Sequence, residues 1–279
     1  MIGDVPWPSL REPVMITAFE GWNDAGEAAT DAIDHLREVF DAELLAELDP
    51  DDYYDFQVNR PHVHLADSER RISWPTTKLF VSRAGDRDVV LIHGIEPNIR
   101  WRAFCQELLG AAQRLNVGLI VNVGSLLADV PHTRPVPTSA FATEPRMLET
   151  FDVEPAMYEG PTGIVGVLQH TCDLAGFSAI SLWAAVPHYV ANNPCPKATL
   201  ALLQRLDDVL DLEIPVGDLP EQAEIWQRGV DQMAAQDSDV AEYVSRLENA
   251  RDSELLKEGS GDVIAAEFER YLRRQGRGE

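Results

Sequence analysis

Residues 14–36 constrain this chain more than any other stretch, because the hydrophobic period changes once within them, at a glycine. Val-Met-Ile-Thr-Ala-Phe, residues 14–19, is a short apolar run of β-favouring side chains with a hard stop at Gly21. Brevity and the stop mark it as a buried strand rather than a piece of helix. After it Ala25, Ala28, Ala29, Ala32, Ile33 and Leu36 recur at helical spacing. Asp24 stands where it can cap the first turn, and Glu27 where the helix dipole favours an acid. Between the two periods lies Glu20-Gly-Trp-Asn-Asp24, at the carboxyl end of a strand, where open α/β sheets bind ligands.

The alternation continues down the chain. Residues 53–58 read as a strand that Asn59-Arg-Pro61 ends, with Asp55 on one face beside Tyr53 and Gln57. Residues 78–82 and 89–93 read as strands joined by a hairpin-like turn at Gly85-Asp86. The second is apolar throughout, as a central parallel strand buried on both faces should be. Residues 99–115 place Trp101, Phe104, Cys105, Leu108, Leu109 and Ala112 on one helical stripe, which Asn116 closes. Further strands are expected at 117–123, 162–168 and 177–185, with helices at 170–175 and 197–210. Strands alternating with helices predict an α/β fold with a parallel-rich sheet covered on both faces.

From Leu219 strand signals stop, and three helices are expected over 221–236, 239–251 and 262–274, the last two parted by Gly259-Ser-Gly261. The chain divides accordingly into a core of residues 1–218 and a helical extension of residues 219–279. Arg270, Arg273, Arg274 and Arg277 make the final stretch basic, which suits a helix C-terminus.

Composition narrows the partners. Lys and Arg number 23 against 47 Asp and Glu, a formal net charge of −24, so phosphate backbones and anionic lipids are repelled and neither nucleic acid nor membrane is expected. Cys105, Cys172 and Cys195 are odd in number, widely spaced and free of any Cys-x-x-Cys pair. They indicate no disulfide framework and no zinc site, and fit a reducing cytoplasm. No basic stretch followed by an apolar run opens the sequence, and no apolar run is long enough to span a bilayer, so a cytoplasmic protein is expected.

The strand ends gather one list of candidates: Glu20, Trp22, Asn23 and Asp24; Glu96, Asn98 and Arg100; Ser125, Asp129 and His132; His188 and Tyr189. Parallel strands would bring these loops to one rim of the sheet. The plainer reading is that they are loop caps and turn residues. As acid–base machinery, His132 or His188 would serve with Glu20, Asp24 or Glu96 as partner. Ser125 sits in Gly-Ser-Leu-Leu and lacks the second glycine of a nucleophile elbow. No phosphate loop and no Gly-x-Gly-x-x-Gly fingerprint occurs, so no cofactor is expected. His62-Val-His64 sets two imidazoles on one face of an extended segment, but with no third ligand in view no metal site is expected.

Several blocks together resemble the proteasome assembly chaperone 2 family: Phe19-Glu-Gly-Trp-Asn-Asp-Ala-Gly26, Tyr54-Asp-Phe56 with Arg60-Pro61, Gly94-Ile-Glu-Pro-Asn98 with Arg100-Trp101, Gly124-Ser125 and Pro187-His188-Tyr189. Residues 260–274 are similar to the extension on bacterial members. The resemblance implies a three-layer α/β/α sandwich of phosphorylase- and hydrolase-like architecture and self-association, with a trimer favoured. It also implies, from the eukaryotic relatives, a protein-binding role with proteasome subunits. Proteasome-docking members end in a hydrophobic residue, tyrosine and any residue, whereas this sequence ends Gln275-Gly-Arg-Gly-Glu279. That difference counts against docking through the tail. On the resemblance and the lack of a convincing catalytic constellation, a non-catalytic assembly factor is the first reading; the alternative is a hydrolase- or phosphorylase-like enzyme acting on a small molecule at the rim, and a small-molecule sensor is the third.

Overall fold

The apolar run of residues 14–19 does become a buried strand, β1 (Val14–Glu20), fully enclosed except at Glu20. The structure is a computed structural model that describes residues 5–66, 69–151, 153–190 and 194–258, the side chains of 254–258 excepted. After β1 come α1 (Ala28–Val39), β2 (Glu43–Glu47), β3 (His62–Ala66), β4 (Glu69–Ser73), β5 (Lys78–Ala84) and β6 (Arg87–Ile95). Then follow α2 (Trp101–Arg114), β7 (Leu119–Ala128), β8 (Thr138–Ala142), α3 (Pro145–Phe151), β9 (Glu154–Pro155) and α4 (Ile164–Ala175). The described chain closes with β10 (Ala179–Pro187), α5 (Pro196–Leu210), α6 (Leu219–Ala235) and α7 (Ser238–Glu258).

Eight strands form one sheet in the order β2-β5-β6-β1-β7-β10-β8-β9. Its four central strands, β6, β1, β7 and β10, run parallel, and antiparallel β5 and β8 flank them. Helices α1 and α5 pack together over one face, where Ile33, Leu36, Leu202 and Leu206 are wholly buried. On the opposite face α2 and α4 do the same with Phe104, Leu108, Ile164 and Leu168. Each such side chain contributes about 1.5–3 kcal/mol relative to its exposed state, which is why the helical stripes seen in the sequence decide the layering. The result is a three-layer α/β/α sandwich. Helix α6 lies on α5, and α7 on α6.

Two predicted strands are corrected. Residues 53–58 form a turn: the Val58 N–H donates to the Asp55 carbonyl at 3.0 Å and the Gln57 N–H to the Asp55 carboxylate at 2.8 Å. Those bonds turn the chain back on itself and no strand forms there, so Asp55 shares no strand face with Tyr53 and Gln57. Residues 162–168 open helix α4 instead. Ile164 and Val165 favour strands, yet with Leu168 and Cys172 they make one buried helical stripe. The β3–β4 hairpin, β2, β8 and α3 were not foreseen, and β6 is parallel to a neighbour on one side only. The predicted helix at 262–274 and the break before it lie outside the described residues. No described helix is long and apolar enough to cross a membrane.

Candidate functional site

The parallel strands end side by side, so the expected rim exists, but its groups are bonded in a way the sequence did not foretell. Between the ends of β1 and β7 the chain closes on itself: Asp24 and Ser125 form a β-bridge, and the Ser125 N–H donates to the Asn23 carbonyl at 2.8 Å. Asp24 does cap α1, though from outside its first turn. Its Oδ1 accepts the N–H groups of Ala29 at 2.8 Å and Thr30 at 3.2 Å, and its Oδ2 accepts the Thr30 hydroxyl. Burial nonetheless raises its pKa from the ordinary carboxylate value, outweighing those bonds. The Ser125 hydroxyl, wholly buried, donates to the Ala25 carbonyl at 2.8 Å.

Glu96 plays the matching part on the opposite face. Its Oε1 accepts the Ile164 N–H at 2.7 Å, at the amino end of α4, and the Asn23 side-chain amide at 2.8 Å. Asn23 is thereby pressed against Gly163, where a Cβ would lie 2.3 Å from its Oδ1, so only glycine fits. Asn98 Oδ1 accepts the Asp55 N–H at 2.8 Å and the Asn59 amide at 2.9 Å, bracing the turn that replaced the expected strand. Arg100, in left-handed backbone at φ 58°, pairs with Asp52 and lies over the Tyr53 ring. Trp22 has no comparable anchor and is 66% exposed.

Glu20 meets an imidazole, but one the sequence did not single out. His93 lies between Asp34, 3.0 Å from its Nδ1, and Glu20, 3.7 Å from its Nε2. Burial raises the Glu20 pKa, opposed by His93, while for Asp34 the bonds to His93 and Arg37 outweigh burial and lower it. Nearby Asp31 is pushed up to about 6, first by burial and then by Glu27 and Asp24.

At the β10 end of the rim the remaining candidates meet the appended helices. His132 is 2% exposed; its Nδ1 accepts the Tyr189 hydroxyl at 2.8 Å, while its Nε2 lies 3.0 Å from Asp231 of α6. The Tyr189 oxygen in turn accepts the His132 N–H at 2.8 Å. These bonds fit the neutral imidazole that donates from Nε2. Burial lowers the His132 pKa despite Asp231, and raises that of Tyr189 to about 12, so the phenol keeps its proton. Lys197 Nζ donates to the carbonyls of His132 at 2.6 Å and Arg134 at 2.9 Å, and to Gln227 of α6 at 2.6 Å. Arg134 makes paired bonds of 2.8 Å to Asp252 of α7. His188 lies 3.3 Å from Asp129, which also accepts the Tyr243 hydroxyl at 2.9 Å. The rings of His132, His188, Tyr189 and Tyr243 meet edge to face.

The rim is thus split. Glu20, Asn23, Asp24, Glu96 and Ser125 come together around β1, and Asp129, His132, His188 and Tyr189 come together under α6 and α7. Neither His132 nor His188 bonds to Glu20, Asp24 or Glu96. Asp231, Lys197, His93 and Thr30 were missed, and nothing local marks the first two, because each acts on a residue at least 65 positions away. Two shallow cavities, of about 300 and 470 Å³, lie at the opposite edge of the sheet, beside Leu119 and Ser178 and beside Glu12 and Arg87. Among the described residues no group of three or more His, Cys, Asp or Glu is placed to hold a metal ion. His62 and His64 lie exposed on β3, with the His64 Nδ1 3.2 Å from the Ser73 hydroxyl.

The PAC2 family model matches residues 18–234. The crystal structure of a PAC2 family protein from Streptomyces avermitilis is 59% identical and superposes with a TM-score of 0.80, over 83% of this chain and 99% of that one. The proteasome-assembly chaperone homologue of Mycobacterium tuberculosis is 51% identical, with a TM-score of 0.76 over 83% of this chain and 99% of that one. Pyrococcus furiosus PbaB, an archaeal proteasome activator, shares the fold at 19% identity and a TM-score of 0.65, over 84% and 98% of the two chains. Among curated proteins none matches this chain. Matched from within β1 almost to the end of α6, and so across both halves of the rim, the chain belongs to the PAC2 family.

Proposed function

We propose that this chain is a protein-binding assembly factor with a proteasome-assembly-like role, acting without catalysis in the cytoplasm and as a homo-oligomer, with a trimer favoured. Family membership supports the role, together with the 51% identical mycobacterial homologue described as a proteasome-assembly chaperone homologue. The observation that supports the non-catalytic part is the commitment of three of the five acid–base candidates. Asp24 and Glu96 each hold a helix amino end, and His132 is bonded on both nitrogens. General acid–base work needs a carboxylate or imidazole free to reach a substrate proton, and these three are occupied. The cytoplasmic setting draws support from the thiols: Cys105, Cys172 and Cys195 are buried and unpaired, and burial raises all three pKa values, to about 11 for Cys105.

Crosslinking the tagged protein in its own cells, followed by capture and mass spectrometry, tests the role. Proteasome α-subunits or their precursors are expected to dominate the captured proteins. Recovery of this chain alone would overturn the assembly role. Light scattering across a wide concentration range tests self-association, which a monomeric mass throughout would refute.

A further inference from the structure

The two appended helices are fastened to the body by different means. Helix α6 turns Leu219, Ala223, Val230 and Ala234 inward, all buried, and packs on α5. It also meets the buried His132 through Asp231 and the half-buried Lys197 through Gln227. In α7 Val244 is the one buried side chain of residues 238–253, with Val240, Tyr243 and Leu247 half-buried. Polar bonds join it to one loop of the body. The Tyr243 hydroxyl donates to Asp129 at 2.9 Å, and the Thr133 hydroxyl donates to Glu248. Arg134 donates from Nη1 to Glu248 at 3.2 Å and from Nε and Nη2 to the two oxygens of Asp252 at 2.8 Å.

Those ion pairs are open to water. The Arg134 side chain is 31% exposed, and the Glu248 and Asp252 side chains 27% and 48%. Pairs so placed hold less firmly than a buried apolar face or a buried network. The ends of α7 suit a movable part. Two residues, Gln236 and Asp237, link it to α6, and the Asp237 carboxylate accepts the Asp239 N–H at 2.9 Å, so the helix starts cleanly at the link. Asp252 stands 15 residues beyond Asp237, about 22 Å along the helix axis. The helix is thus joined to α6 at one end and held by a guanidinium towards the other.

We infer that α7 is a strap, hinged at Gln236–Asp237 and clasped by Arg134, which leaves the body while α6 stays and so uncovers the β10 half of the rim. The Tyr243 ring lies edge to face with His188 and Tyr189, at 5.4 and 6.1 Å between centroids, so lifting α7 bares both from that side. Off the body, α7 is a helix of 21 residues without tertiary support, which is marginal in water, and its amides exchange. Helix α6 cannot follow without parting Asp231 from the buried His132.

Hydrogen exchange of the full chain, read by mass spectrometry, tests it with α6 as the internal control. In the wild type the amides of α7 are expected to exchange faster than those of α6. Arg134→Ala is expected to lower α7 protection by about three- to tenfold and to leave α6 unchanged. Arg134→Lys, which keeps the charge but not the paired fork, is expected to lower it less. Hydroxyl-radical footprinting reads the uncovering: oxidation of Tyr189 is expected to rise in Arg134→Ala in step with α7 exchange. Equal protection in the two helices, lost together in Arg134→Ala, would overturn the strap, since they would then leave as one unit. Protection of α7 that Arg134→Ala does not move would overturn the clasp. Loss of α7 protection with no gain in Tyr189 oxidation would overturn the uncovering of the rim.

Discussion

At the β10 end of the sheet the carboxyl edge is covered by its own chain, whereas at the β5 end it carries a hairpin that the other described residues leave bare. The covered flank is polar at its heart: His132, Tyr189, Lys197, Gln227 and Asp231 satisfy one another, and Arg134 reaches α7. The bare flank is apolar in its exposed row and nearly free of long-range bonds beyond its base. A buried polar network stabilises a structure only when every member is paired, so it suits a permanent contact within one chain. An exposed apolar row contributes little to the fold, because only apolar area removed from water stabilises it.

The contrast can be broken most severely at His132. His132→Ala is expected to cost about 2–4 kcal/mol, from the vacated volume and from the Tyr189 hydroxyl and the Asp231 carboxylate left without their imidazole partner, as measured by equilibrium denaturation. It should also expose α6 to limited proteolysis. Asp24→Ala, which strips the amino end of α1 of its acceptor, is expected to cost about 1–2 kcal/mol in the same assay.

Acid should loosen the covered flank selectively. Because the folded state holds His132 below its ordinary value of 6.5, the unfolded chain binds more protons as pH falls past that value, and stability contributed there is lost towards the lower folded pKa. The protection factor of the α6 amides, their exchange corrected for the intrinsic rate at each pH, is expected to fall as pH drops below about 6.5, and in His132→Ala that fall should vanish. Asp31 has the opposite sign: with its folded pKa raised to about 6, its carboxylate destabilises the fold progressively as pH rises from the ordinary value of 3.8. Asp31→Asn is therefore expected to raise the denaturation midpoint at neutral pH. The smallest effect belongs to the bare flank, where Leu65→Ser is expected to change stability by less than about 0.5 kcal/mol, since little is packed against it. A larger loss would show that the hairpin is held by its own body.

How much of this was legible follows from what each feature depends on. Strands β1, β6, β7 and β10 and helices α1, α2 and α5 were readable because each carries a continuous apolar run or a stripe long enough to show one period. Residues 162–168 misled because Ile164 and Val165 suit a strand locally, and only packing of α4 against α2 made the helical stripe win. The turn at 53–59 was hidden because Asn98, some forty residues on, supplies the acceptor that holds it. Asp24 was recognised as a cap from its position alone. Glu96 was seen as a candidate, but its task of closing α4 depends on Ile164, 68 positions away.

The sequence by itself determined the layers, the parallel centre of the sheet, the rim at its carboxyl edge and, through its Glu-Gly-Trp-Asn-Asp-Ala-Gly and Gly-Ile-Glu-Pro-Asn blocks, the family. Periodicity encodes which face of an element is buried, and that is local information. Only the tertiary structure decided which candidates meet. His132 and Asp231 stand 99 residues apart and Glu20 finds His93 rather than a predicted base, because side-chain partners are set by how the elements cross and not by the elements themselves.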